Sequence, residues 1–367
     1  MVLIMYKIKS FILGKDNTYI TDYFLKKRLL KRYEDNLKGY KSLFSYFDYS
    51  KLEDYDYLYP NSDDQIKQCI FCLKSNPDVS FSSRPHVIPE FLGNRYLLQH
   101  EECDSCNSYF SSTLEDALDK YSKIYRTLDK IKNKRRKLVS YSSINQKSKV
   151  SFDKQKNIYT FMGYQDKDFL FDDNKNELTG IFEVPKHRPV NIYKSFMKIF
   201  YGLLPRDHHK KFTLLREWIR TEDPTTVFLK PLEVIKTRLP GFNKKPLIVE
   251  IFYKQNKNLE LMLRNKDAED TFEYIALLGF GNVVFEMPLL SDIDCVKLHQ
   301  NIKMNLKRFP NPYFINTYER LDLSNSENVI TTETVVFSYK ERISLPELEG
   351  TLIAELSDNL DTILKTD

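Results

Sequence analysis

Glycine is scarce in this chain, ten among 367 residues, and there is no long low-complexity tract and no repeat at solenoid or propeller spacing. A stacked-repeat architecture is excluded. With 41% hydrophobic and 14% aromatic residues, the composition is that of a folded protein. Long apolar runs are missing as well. The opening stretch Met1 to Met5 is interrupted by Lys7 and Lys9, which excludes a signal peptide or a membrane span, since a span needs roughly 18 apolar residues or more. The stretch reads instead as a strand, Val2 to Ile8. A soluble, cytoplasmic protein with no membrane partner is expected. Strong charge of one sign is absent too: 56 basic against 51 acidic side chains leave +5, which permits a polyanionic partner without requiring one.

Cysteine is rare, five in all, but four fall in two tight pairs, Cys69–Cys72 and Cys103–Cys106, while Cys295 stands alone. In a reducing compartment such pairs signal a metal rather than disulfides. Two knuckles of this spacing suit one tetrahedral structural zinc ion with four thiolate ligands. The ion would also strengthen a core too small to hold itself together. A closed four-thiolate site has no open position for substrate, so any chemistry must come from a neighbouring group.

His86 is the outstanding candidate for that group. It lies beyond an expected strand at Val79 to Ser82 and before Pro89 and Gly93. A neutral imidazole there can activate water for attack on a phosphodiester, with a divalent ion to neutralise charge on the phosphate.

The segment reads His86-Val87-Ile88-Pro89, then Gly93-Asn94, then Cys103-Asp104-Ser105-Cys106-Asn107. In this order it resembles HNH endonucleases of the ββα-metal type, in the branch clamped by two CxxC knuckles. The resemblance covers about residues 69–121. It implies that His86 is the general base, that Asn94 orders the loop and holds the base, and that Asn107 opens the helix as a ligand of a catalytic Mg2+ or Mn2+. One departure is plain: Pro85 stands where many members carry an acidic metal ligand, and Glu90, Glu101, Glu102 and Asp104 are the substitutes within reach.

Plainer roles exist for each residue. His86 could be a hydrogen-bonded structural group, Asn94 a turn residue after Gly93, and Asn107 a helix cap. His100 reads as a surface residue, and His208 and His209 as solvated loop positions. The basic run Lys130, Lys132, Lys134, Arg135, Arg136 and Lys137 reads either as a phosphate-contacting segment or as a solvated face. The cluster Lys26, Lys27, Arg28, Lys31 and Arg32 is a weaker case of the same.

The fold class is α+β: a small zinc-bound ββα-metal module with a larger mixed α+β C-terminal domain. Residues 1–60 form an N-terminal α-rich segment with a helical stretch around Asp22 to Lys41. Residues 61–126 hold the nuclease module, ending in a helix from Asp104 to Arg126, and 127–149 are a basic linker or helix. Residues 150–367 form a domain with its own core. Strands are expected there at 150–152, 158–161, 272–278, 283–287 and 329–339, with a hairpin around 255–258. Helices are expected through Ile192 to Leu203, through Phe212 to Ile219, and through Leu352, Leu356, Leu360 and Leu364. That domain is expected to regulate, to recognise targets or to oligomerise.

Three functions follow. The first is a metal-dependent DNA endonuclease acting on double-stranded DNA, which the resemblance connects with defence against phage or foreign DNA. The second is a non-catalytic zinc module that binds nucleic acid or protein. The third is an RNA-cleaving or toxin-like nuclease. A homo-oligomer or a regulatory protein partner is expected for the first and third.

Overall fold

The computed structural model describes residues 6–13, 40–46, 67–95, 97–155, 157–163, 167–223, 226, 228–238, 247–254, 271–306, 318–339, 341–344 and 351–356. The strands are β1 (Tyr6–Leu13), β2 (Tyr40–Tyr46), β3 (Tyr141–Ser142), β4 (Lys149–Asp153), β5 (Ile158–Met162), β6 (Phe169–Asp172), β7 (Glu177–His187), β8 (Glu233–Arg238), β9 (Leu247–Lys254), β10 (Tyr274–Phe280), β11 (Val283–Pro288), β12 (Glu319–Asp322), β13 (Val329–Ser338), β14 (Glu341–Ser344) and β15 (Thr351–Leu356). The helices are α1 (Asp104–Leu128), α2 (Pro189–Leu203), α3 (Arg206–His209), α4 (Thr213–Ile219) and α5 (Asp292–His299).

Two sheets result. One has the order β3-β4-β5-β15-β1-β13-β7-β6, with β14 also on β1; the other runs β12-β8-β11-β10-β9-β2. β10 and β11 are buried along their whole length, in keeping with sequences that are apolar except for Glu286. The turn between them needs Gly281, at φ +59, because a Cβ there would collide with the Asp129 carboxylate. The Asn282 amide donates to that carboxylate at 2.8 Å, tying this hairpin to the end of α1.

α1 forms because Phe110, Leu114, Ala117, Leu118, Tyr121 and Tyr125 recur at helical spacing and all are buried. Asp104 in its first turn complements the helix dipole. The helix packs on α2 and on β7, and its Tyr121 and Tyr125 rings lie 6.1 Å and 6.4 Å from Phe285 and Phe280 of the second sheet. Tyr125 also donates to the Glu333 carboxylate on β13, which Lys236 of β8 meets at 2.7 Å. Helix α1 therefore joins both sheets, and one apolar cluster runs from Cys69 through Phe110 and Phe196 to Phe285 and Phe337. The C-terminal half was expected to have its own core; it shares one with the cysteine region.

Other expectations change too. Residues 351–356 form a strand, parallel to β1 and antiparallel to β5, not a helix. The Leu352/Leu356 spacing fits a helix, but Thr351 and Ile353 suit a paired strand and the sheet decides. Residues 22–39 and the cluster Lys26 to Arg32 lie outside the described residues, and Tyr40 and Lys41 open β2. The expected hairpin at 255–258 lies outside them as well; β9 pairs with β10 and β2. No strand forms at Val79 to Ser82.

Candidate functional site

The four paired cysteines converge. Their sulfurs all lie within 4.8 Å of one another, and Cys72 Sγ and Cys103 Sγ are 3.7 Å apart. A tetrahedron of Zn–S bonds of about 2.3 Å requires S···S separations of about 3.8 Å, so the cluster fits zinc. The first knuckle turns on Leu73, at φ 59, whose amide donates to the Cys69 carbonyl at 2.8 Å. The second is the N-terminus of α1, where Cys103 is the N-cap and its amide points at Cys69 Sγ at 3.5 Å. None of the four forms a disulfide. The Cys69 thiol is held down to about 5, chiefly by its hydrogen bond with Cys106.

Above this cluster the strand pairing is reduced to a single antiparallel bridge, His86 with Leu98, flanked by Val87 N to Leu97 O at 3.1 Å and Gln99 N to Pro85 O at 2.8 Å. The connecting loop passes through a one-turn helix, Glu90–Leu92, and then Gly93 at φ 105, a backbone conformation that suits glycine. That reversal brings the Asn94 side chain inward, where it is fully buried. Its amide donates to Ile88 O at 2.7 Å and Leu97 O at 3.0 Å, and its carbonyl accepts from Leu97 N at 3.0 Å. Both amide hydrogens are thereby engaged, so the 3.4 Å approach of Asn94 Nδ2 to His86 Nδ1 is a packing contact that seats the ring.

His86 Nε2 faces the Glu90 carboxylate at 3.9 Å. Burial pulls the imidazole below its ordinary pKa; Glu90 opposes this and Lys134 reinforces it. The ring is consequently neutral at pH 7, with a basic nitrogen for a proton. Of the four acids weighed as substitutes at Pro85, only Glu90 stands here. Glu101 pairs with Arg206. Glu102 is buried against Lys198 at 3.3 Å. Asp104 binds Ser82 and Ser83, and hydrogen bonds from Ser80 and Ser83 hold it well below the usual carboxylate range. Asn107, on the first turn of α1, donates to Ser83 Oγ at 3.4 Å; no hydrogen bond joins it to His86 among the described residues.

The basic run is not helical. Lys132 bridges Leu138 around a turn in which Asn133 accepts from the amides of Arg135 and Lys137 at 3.0 Å each. Lys132, Lys134, Arg135, Arg136 and Lys137 are exposed, whereas Lys130 is half-buried over the Phe152 ring at 4.7 Å. Arg95 clamps this turn to the His86 loop, donating to Lys132 O at 3.1 Å and Asn133 O at 2.9 Å. Lys134 completes the link at 3.8 Å from Glu90. A ridge of cations therefore stands beside the imidazole.

One further residue had no local sequence signal. Lys198, on α2 and almost fully buried, donates to His86 O at 3.2 Å and to Glu115 of α1 at 3.1 Å. Burial works against its charge, but Glu102 and Glu115 outweigh this and its pKa is raised. His208 and His209 are not solvated loop residues. They end α3, His208 Nδ1 lies 2.7 Å from the Tyr274 hydroxyl, and His209 stacks on Tyr201 at 4.5 Å. His100 is half-buried rather than fully exposed.

No helix among the described residues is long and apolar enough to cross a membrane. Residues 69–122 match the family model described as HNH endonuclease. No match was found among curated proteins or among solved structures.

Proposed function

We propose that the HNH endonuclease module at residues 69–122 hydrolyses phosphodiester bonds in double-stranded DNA, with His86 as the general base. The observation that carries this reading is the imidazole seated against Asn94, with Nε2 facing Glu90 and its pKa lowered by burial, beside the turn Lys132 to Lys137. The turn would hold the backbone phosphates without reading sequence, and His86 Nε2 would take the proton of the attacking water. Asn94 orients the ring, and the cysteine cluster fixes the two knuckles on which the loop rests.

Glu90 fits one ligand of a divalent cation, since Mg2+ sites commonly combine one or two carboxylates with water and phosphate oxygens. When bound, such an ion would neutralise charge on the phosphate and on the leaving oxygen. Asn107 is the second candidate ligand, on the strength of the family resemblance.

The wider reading is a defence nuclease restrained by residues 150–367. Support for that control comes from Lys198, which reaches from α2 of that half to the His86 carbonyl. A homo-oligomer or a regulatory partner accords with it. The test is plasmid cleavage by the full chain with Mg2+ or Mn2+, beside His86→Ala; a mutant that cuts as fast as the parent removes His86 from the mechanism. Single-stranded DNA and RNA substrates separate DNA from RNA cleavage.

A second reading has its own observation. Glu90 already faces Arg95 at 3.5 Å and Lys134 at 3.8 Å, and Pro85 supplies no acid, which favours a module that binds nucleic acid without cutting it. Salt-sensitive DNA binding without cleavage under any divalent metal would select this reading.

A further inference from the structure

A second site lies on the opposite side of α1 from the core. A cavity of about 600 Å³ opens between α1 and the start of α2. Its walls carry Ser105, Ser108 and Ser112 from α1, and Arg188, Asn191 and Lys194 from the segment that begins α2. The volume is that of a ligand pocket rather than a packing defect.

The cations here lack a carboxylate at ion-pair distance among the described residues. Lys194 is only 4% exposed, yet its ammonium meets one acceptor, Thr221 O at 2.9 Å, and the face of Trp218 at 4.9 Å. An ammonium has three hydrogens to donate. Neither Lys194 nor Arg188 forms an ion pair among the described residues. Glu222 is exposed at the cavity wall, and Asp223 acts on Lys194 only from a distance. Burial holds the Lys194 ammonium down to about 8; Asp223 opposes this and Arg188 adds to it. Buried charges are ordinarily paired, so the enclosed Lys194 ammonium, with the half-buried Arg188 lining the same cavity, points to an anion from outside. The Ser108 hydroxyl and the Asn191 amide line the same space and make no side-chain hydrogen bond among the described residues.

We propose that this cavity binds a phosphate-bearing small molecule of nucleotide size, its phosphates held by Arg188 and Lys194 and by the side chains of Ser108 and Asn191. A duplex backbone is the poorer occupant. Its phosphates reach side chains that stand out from a surface, whereas Lys194 is enclosed and suits a terminal phosphate that enters the cavity. Guanidinium and ammonium donors to phosphate are the strong, charge-assisted kind.

The site also shares a helix with the nuclease loop. Lys194 and Lys198 are one turn apart on α2, and Lys198 holds the His86 carbonyl. A ligand on Lys194 therefore acts on the helix that supports His86. This consequence rests on the nuclease reading, whereas binding itself does not.

The experiment is isothermal titration of the full chain with inorganic pyrophosphate, AMP and ATP, with a short DNA duplex as competitor. Saturable binding of pyrophosphate or a nucleotide is expected. Arg188→Ala or Lys194→Met should weaken it by about tenfold or more, Ser112→Glu should abolish it, and His86→Ala should leave it unchanged. Arg188 is half-buried and Ser112 exposed, so these two variants keep the fold if Lys194→Met does not. No binding at millimolar anion, parental affinity in Ser112→Glu, or displacement of the ligand by the duplex each overturns the proposal. Plasmid cleavage with and without the ligand reads the coupling: altered cleavage supports it, and unaltered cleavage removes it. A parent chain that binds the anion and cuts nothing refutes the nuclease reading alone.

Discussion

The ammonium of Lys198 donates to the carbonyl oxygen of His86 at 3.2 Å, across 112 residues of sequence. The same group is paired with Glu102 at 3.3 Å and Glu115 at 3.1 Å, with only 2% of the lysine side chain exposed. The C-terminal half thus supports the backbone on which the imidazole is mounted.

Lys198→Met leaves Glu102 buried without its cation. Loss of one partner of a buried pair costs about 3–5 kcal/mol, and urea unfolding should show a midpoint lowered accordingly. Glu102→Gln in the same chain should restore part of the loss. An unchanged midpoint in Lys198→Met would mean the pair carries no net stability.

Asn94→Asp should be worse than Asn94→Ala. Alanine leaves Ile88 O and Leu97 N without their partner, at about 1–3 kcal/mol for each unsatisfied buried group, and leaves Leu97 O with Val87 N alone. Aspartate removes both donors and sets a carboxylate against those two carbonyls. Thermal unfolding of the three chains orders them as parent, alanine, aspartate; equal melting of both variants contradicts the hydrogen-bond account.

Elemental analysis should find one zinc per chain, absent from Cys69→Ser or Cys103→Ser. Since metal binding in such a site contributes folding free energy, chelation should lower the melting temperature of the parent. A chain that melts identically with and without chelator contains no structural zinc.

For the basic turn, Arg135→Ala with Arg136→Ala should weaken DNA binding uniformly across sequences. For every DNA phosphate that a deleted arginine had neutralised, the slope of log K against log salt becomes shallower by about 0.9. A preserved slope places the DNA elsewhere.

With His86 as the proposed base, the acid limb of cleavage follows from its pKa. Its folded pKa is depressed by burial and by Lys134, so the neutral base persists below the ordinary histidine value of about 6.5 and is lost only at lower pH. Lys134→Ala removes a charge that favours the neutral ring, and the limb should move to higher pH. A pH-rate profile that stays in place separates the limb from His86.

What a single sequence reveals here is whatever is local. The two CxxC pairs, the run His86 to Pro89 and the Gly93-Asn94 step lie within forty residues of chain, and the structure seats Asn94 against His86. α1 and α2 were legible because their buried residues recur at helical spacing. Lys198 was not, since its meaning comes from Glu102, Glu115 and His86 O, none of them near it in sequence. The exposed turn at 132–138 was legible as charge but not as shape, because Asn133 and Arg95 set its conformation from outside the basic residues. Leu352 and Leu356 misled for a related reason: a four-residue interval is helical in isolation, and only β1 and β5 make it a strand.

β1 lies between β15 and β13 and pairs in parallel with β15. During synthesis, β1 must therefore wait until β13, β14 and β15 have been made before its neighbours exist. The cysteine knuckles, by contrast, can close as soon as Cys106 emerges. Assembly is thus ordered in time: the metal-binding segment comes early, the sheet around β1 last, and a ribosome that stalls before residue 351 leaves β1 without its parallel partner.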